Sequence, residues 1–161
     1  MSELTAIASA LGLLLKERKE TIAVAESSAG GLISAALLAV PGASAYFLGG
    51  GVIYTQAARR ALLRVPDASV TGIRSSTEAY ALLKARTIRD LLGATWGLAE
   101  TGASGPTGNR YGDAAGHVCL AVAGPVERAL TLETRHGDRE RNMWTFARAA
   151  LELLETSLRT P

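Results

Sequence analysis

Three short segments carry residue types that can act on a small anionic molecule. The first is AESSAGG, residues 25–31. Here an apolar, β-branched run, TIAVAE (21–26), meets the start of a helical stretch, LISAALLAV (32–40). The free N–H groups of a helix N-terminus, approached over glycines, form a site for an anion or a developing oxyanion. Ser27 in that position reads as a nucleophile; equally, Ser27 or Ser28 reads as the helix N-cap. Glu26 reads as a group that polarises Ser27 or binds a sugar hydroxyl, or as a buried, hydrogen-bonded acid at a strand end. The second segment is YTQAARR (54–60). Tyr54 can donate or shuttle a proton, and Arg59 can hold a phosphate or carboxylate with two nitrogens. The alternative is a core-edge tyrosine and a solvated arginine. The third is TGASGPTGNRYGDAAG (101–116). Loops longer than about 12 residues without regular structure are commonly functional or disordered. Its glycines suit backbone N–H groups for cradling a phosphate, and Arg110 and Asp113 can orient a ligand. It is neither a GK[ST] phosphate loop nor GxGxxG.

Other candidates read more simply as structure. His117 opens a strand, and Cys119 sits among apolar strand residues. Arg135, Arg139 and Arg141 cluster at a helix start, either to reach an anion on a neighbouring element or to face solvent.

The elements that position these segments follow from periodicity. Leu4, Ile7, Ala8, Leu11, Leu14 and Leu15 predict a helix over 3–18, with Ser2 able to cap it. Residues 21–26 and 45–55 predict strands, and 56–64 a helix ended by Pro66. Ser75 or Ser76 caps a long helix that stops near Gly93, with Glu78 at capping-box spacing from Ser75; the helix carries Ala79, Leu82, Leu83, Arg86 and Leu91. Strands over 94–101, 117–124 and 129–135 follow, the last two as a hairpin. A final helix runs from Gly137-Asp138 to about Leu158, with Trp144, Ala147, Leu151 and Leu154 on one face. Strands separated by helices imply an α/β fold, a mostly parallel sheet with helices on both faces, and the late hairpin implies one antiparallel member. Ligands in such sheets bind outside the carboxyl ends of the strands, where all three segments begin.

Composition narrows the classes. The 161 residues predict one domain spanning 1–161, with 48% apolar and 20% charged residues, an ordinary globular balance. A net charge of +2 gives no support for a nucleic-acid partner. One cysteine excludes an internal disulfide and two histidines exclude a multi-histidine metal site. No run is long and apolar enough to span a membrane, so a cytoplasmic, membrane-free protein is expected.

The motifs AESSAGG, VPGASAYFLGGGVIYTQAAR and ETGASGPTG resemble, in order and spacing, the CinA C-terminal domain family, whose usual pattern is A-E-S-C-T-G-G, then P-G-S-S-A-Y-F-x-G-G-x-x-x-Y-S-N-E-A-K, then T-G-x-x-G-P-x-G. The resemblance covers roughly residues 5–155. It implies a three-layer α/β/α sandwich with a five-stranded mixed, mostly parallel sheet. It also implies hydrolysis of the carboxamide of nicotinamide mononucleotide to nicotinate mononucleotide and ammonia, without metal or cofactor. The family's serine falls on Ser27, its tyrosine on Tyr54, and the arginine of a later G-D-R on Arg139. The family's lysine position is Arg59, and arginine does not deprotonate. In this reading Ser27 attacks, Tyr54 relays the proton with its acidity raised by Arg59, and the N–H groups of Ser28–Gly31, including Gly30, hold the oxyanion. Arg59 or Arg139 holds the phosphate, with Glu26, Thr101, Gly102, Ser104 and Gly105 completing the substrate site. The partner is then a small-molecule mononucleotide, and association into a homo-oligomer is compatible with the family. Two other readings use the same pocket: a non-catalytic nucleotide- or anion-binding module, and a hydrolase of the same chemistry on another substrate.

Overall fold

The computed structural model describes residues 1–161. In chain order it contains α1 (Ser2–Arg18), β1 (Ile22–Glu26), α2 (Leu32–Leu38), β2 (Phe47–Val52), α3 (Gln56–Leu62), α4 (Glu78–Leu92), β3 (Trp96–Ala103), β4 (His117–Ala123), β5 (Arg128–Glu133) and α5 (Arg139–Arg159). Short 3-10 turns occupy Ala43–Ala45 and Asp67–Val70. The strands form one mixed sheet in the order β2-β1-β3-β4-β5. Strands β2, β1 and β3 run parallel, and β4 is antiparallel to both of its neighbours.

Alternation along the central strands decides where the helices lie. On one face Ile22, Val24, Leu98, Val118, Leu120 and Val122 pack with α1, α2 and α5 in the larger core. The other face carries Ala23, Ala25, Ala99, Cys119, Ala121 and Ala123 and packs against Ala81, Ala85 and Ile88 of α4. Small residues on both partners let α4 lie close on the sheet. At Gly97 a β-carbon would fall 1.9 Å from the Ala85 carbonyl oxygen, so only glycine permits this approach.

This packing sets the buried face of α4. Its buried residues are Tyr80, Ala81, Lys84, Ala85 and Ile88. Ala79, Arg86 and Leu91 are exposed, and Leu82 and Leu83 are half-buried at the edge of the contact. The caps differ from those expected. Thr77, not Ser75 or Ser76, accepts from the Tyr80 N–H, and Glu78 instead accepts from the Thr131 hydroxyl at 2.7 Å. Helix α1 begins at Ser2, with Met1 as N-cap and no side-chain cap. The predicted strand over 45–55 shortens to Phe47–Val52.

The path from β1 through α2 runs outward to β2, whereas the path from β2 through α3 and α4 returns across β1 to β3 on the opposite face. The carboxyl ends of β1 and β3 therefore part, and a crevice opens there. No helix is long and apolar enough to cross a membrane.

Candidate active site

Two carboxylates build the AESSAGG turn. Glu26 ends β1 fully buried, and its oxygens accept from the N–H groups of Gly31 (3.1 Å), Ile33 (2.9 Å) and Ser34 (2.9 Å). These are orphan donors of α2, whose N-cap, Gly31, has no side chain to offer. The acid thus replaces a side-chain cap and adds a negative charge at the positive helix end. Replacing Glu26 with alanine is expected to destabilise the fold by about 2–3 kcal/mol, since buried donors lose a charged acceptor. Urea unfolding measures this; a change under about 0.5 kcal/mol would remove Glu26 from the turn's support. Glu100, near the end of β3, accepts from the Ser27 N–H, the Ala29 N–H (2.7 Å) and the Ser28 hydroxyl (2.7 Å). Gly30 and Gly31 sit at φ of 67° and 99°, a left-handed bend that turns strand into helix within a few residues.

This arrangement departs from the expected oxyanion donors. The Ala29 N–H points to Glu100, Gly30 to the Ser27 carbonyl at 3.0 Å, and Gly31 to Glu26. Among Ser28–Gly31 only the Ser28 N–H is left without a protein partner. Glu26, Gly30 and Gly31 do not line the crevice.

The crevice holds about 590 Å³, enough for a mononucleotide, and its walls include Ser27, Tyr54, Gln56, Thr101, Asn109 and Tyr111. The Ser27 hydroxyl has no hydrogen bond to protein and is not sealed from solvent. Tyr54 stands opposite, 58% exposed. A polar hollow of about 210 Å³ adjoins it, walled by Ser28, Tyr54, Gly102, Ser104, Gly105 and Arg139. Arg139 links the two spaces: one guanidinium nitrogen donates to the Gly105 carbonyl at 2.6 Å and another to the Tyr54 hydroxyl at 3.0 Å. The Ser104 hydroxyl is buried with no partner. An anion bound here meets the Arg139 guanidinium, beside the buried Ser104 hydroxyl.

Arg59 lies elsewhere. It is buried, its guanidinium pairs with Asp67 and it donates to the Pro66 carbonyl at 3.4 Å. It lines a hollow with Val70 and Ile73 that adjoins the crevice through Gln56, Ser75, Tyr80 and Tyr111, and Tyr54 meets Arg139 in its place. One turn into α3, position 59 faces the 3-10 turn at Asp67–Val70 rather than the strand ends.

Residues not singled out from sequence also shape the crevice. Ser76 lines it in a left-handed conformation, φ 61°, which is costly outside glycine and persists only when held. Its N–H donates to the Thr101 hydroxyl at 3.1 Å, and its carbonyl meets His117 Nε2 at 2.8 Å. The 104–116 loop is folded back and fastened. Arg74 grips Asp113 through two nitrogens at 2.8 and 3.2 Å, and Tyr111 lies between the guanidiniums of Arg74 and Arg110, each 5.0 Å from its ring. No three His, Cys, Asp or Glu side chains are grouped to hold a metal ion.

Burial opposes charge on His117, but its bonds to Glu133 and the Ser76 carbonyl and the charges of Asp113 and Glu133 outweigh it, lifting its pKa above the ordinary 6.5. A raised folded value means the folded state holds the proton more tightly. Stability contributed by His117 is therefore full below pH 6.5 and is lost as pH rises through the higher folded value. Urea midpoints are expected to fall over that range, and His117→Gln to flatten the profile. An unchanged slope in the variant would assign the pH dependence to another group.

Residues 4–158 match the family described as the CinA C-terminal domain. The chain belongs to this family. A CinA-like protein of Salinibacter ruber is 39% identical over 142 residues, covering 88% of this chain and 34% of the relative. A CinA-like protein of Synechocystis is 37% identical over 149 residues, covering 92% and 36%. The chain thus spans about a third of the length of these curated relatives. Among solved structures, a competence-damaged protein (CinA) superfamily protein from Escherichia coli superposes with a TM-score of 0.89 at 26% identity, covering 96% of this chain and 90% of the other. A competence/damage inducible protein, CihA, from Agrobacterium tumefaciens gives 0.89 at 27%, covering 98% and 96%. These likenesses agree with the five-stranded α/β architecture. Within this CinA domain, Ser27, Tyr54 and Arg139 surround one joined crevice, and Arg59 lines the neighbouring hollow.

Proposed function

We propose that this CinA domain hydrolyses the carboxamide of nicotinamide mononucleotide, giving nicotinate mononucleotide and ammonia. The observation that supports it best is the Ser27–Tyr54–Arg139 crevice, in which Tyr54 is held by the same guanidinium that faces the anion hollow. The phosphate sits beside Arg139 and the unpartnered Ser104 hydroxyl, which places the nicotinamide ring toward Ser27. The Ser27 oxygen attacks the carboxamide carbon and its proton passes to the leaving nitrogen through Tyr54. Ammonia departs as an acyl-Ser27 ester forms, and water then hydrolyses that ester, returning the proton to Ser27. The free Ser28 N–H is the backbone donor available to the oxyanion, and one well-placed donor supplies roughly 3–4 kcal/mol. Ammonia release from nicotinamide mononucleotide by the purified protein tests the reading. No release from the mononucleotide would end it.

One observation favours a second reading. Arg59 is engaged by Asp67 and no lysine lines the crevice, so no amine stands by as a base for Ser27. A binding module that holds a mononucleotide without turnover fits that chemistry. Saturable calorimetric binding without ammonia release would select it.

A further inference from the structure

Behind the Ser27 turn lies a charged network that the proposed reaction does not consume. Lys84 is fully buried on α4, and its ammonium donates to the Glu100 carbonyl oxygen at 2.9 Å. Glu100 is one residue past Ala25–Ala99, the last β1–β3 pair, where the two strands separate. Its side chain is also fully buried and takes three donors: the Ser27 N–H, the Ala29 N–H and the Ser28 hydroxyl. Burial holds the Glu100 pKa above the ordinary carboxylate range, outweighing the Lys84 charge and these three donors, which draw it down. Burial pulls Lys84 down to about 8 against the charges of Glu100 and Glu26, which draw it up. The remaining group facing it is the Tyr80 ring, 5.9 Å from the ammonium.

Buried charges are seldom a gain in stability over apolar residues of the same size, and Lys84 bonds the backbone carbonyl of Glu100 rather than its carboxylate. What the Glu100 carboxylate does provide is direction. Glu100 fixes the peptide planes before Ser27 and before Ala29, and so the heading of the Ser27 side chain into the crevice. Rotation of that turn would break two bonds to one carboxylate at once.

We propose that Glu100, backed by Lys84, is the positioning residue for Ser27. The assignment rests on the reading of Ser27 as nucleophile. Lys84 supplies the counter-charge from the opposite face of the sheet, and Glu100 carries the contact to the turn.

The test is the double variant Lys84→Met/Glu100→Leu, which removes both charges and the oxygen that accepts from the Ser27 and Ala29 N–H groups while roughly keeping volume. Its urea midpoint is expected below that of the parent, because those buried donors lose their acceptor. Its kcat is expected to fall about 10- to 100-fold with KM unchanged, the pattern of a misaimed group rather than of lost binding. A purely structural role would move stability and leave kcat of the folded enzyme alone. Unchanged kcat in the folded double variant would overturn the proposal. Should the double variant not fold, Glu100→Thr alone, whose short side chain withdraws the acceptor, is compared by the same kcat and KM split, with the same two outcomes. Failure of the underlying reading shows separately, as parent activity that is absent or survives Ser27→Ala. In that event Ser27 modification by a sulfonyl fluoride decides. A rate about 10-fold lower in the variant supports positioning, and equal rates, zero included, overturn it.

Discussion

Ser27→Ala is expected to lower kcat for ammonia release from nicotinamide mononucleotide by at least about 10³-fold while leaving stability within about 0.5 kcal/mol of the parent. The two halves of that expectation come from different atoms of one residue. The Ser27 backbone is structural: its N–H is held by Glu100 and its carbonyl receives Gly30 at 3.0 Å. Alanine keeps both. The hydroxyl bonds to nothing in the protein, so its removal frees no buried partner and opens no cavity. Its only neighbour of consequence is the crevice. Turnover of the alanine variant within tenfold of the parent would show that water attacks directly, or that the chemistry lies elsewhere in the cleft. A large fall in stability would show that the hydroxyl has a structural partner.

Arg139→Ala carries the second largest expected effect, a fall of about 10²- to 10³-fold in kcat/KM on the mononucleotide, or roughly 3–4 kcal/mol. Two charge-assisted bonds disappear together, to Tyr54 and to Gly105. Because phosphate is held equally in ground and transition states, most of the loss should appear in KM. Nicotinamide riboside, which lacks the phosphate, separates the roles. The parent should prefer the mononucleotide strongly, and the variant should lose most of that preference. Equal losses on both substrates would make Arg139 a support for Tyr54 alone. Arg139→Lys should rescue only partly, since an ammonium is a point charge and cannot span Tyr54 and Gly105 as a planar fork does.

Much of the scaffold is written in local pattern. Apolar runs such as IAVAE and HVCLAVA can only be buried strands, and every strand and α-helix predicted from periodicity exists in the structure. The rule that ligands gather at strand carboxyl ends singled out the segments of Ser27, Tyr54 and the 101–116 loop, and the fold brings all three to one crevice. Where local pattern misled, a neighbour decided. Thr77 rather than Ser75 or Ser76 caps α4, and the alanine floor of β1, β3 and β4 takes Ala81, Ala85 and Ile88 with the stem of Lys84, while Leu82 and Leu83 pack at its edge. Lys84 stands three residues from Ala81 and four from Ile88, so helical spacing did put it among buried residues. Its charge argued for solvent instead.

Element type, the order of elements along the chain and motif position are thus properties of the chain itself, because they arise from hydrophobic periodicity and turn chemistry within a few residues. The order of strands in the sheet and the direction of long charged side chains are not. Arg59 turned to Asp67, Arg139 reached Tyr54 across 85 residues, and Glu100 took the backbone donors that the turn seemed to offer a ligand. Each of those outcomes is a competition among polar groups on different elements, and only the folded arrangement brings the competitors within hydrogen-bond reach of one another.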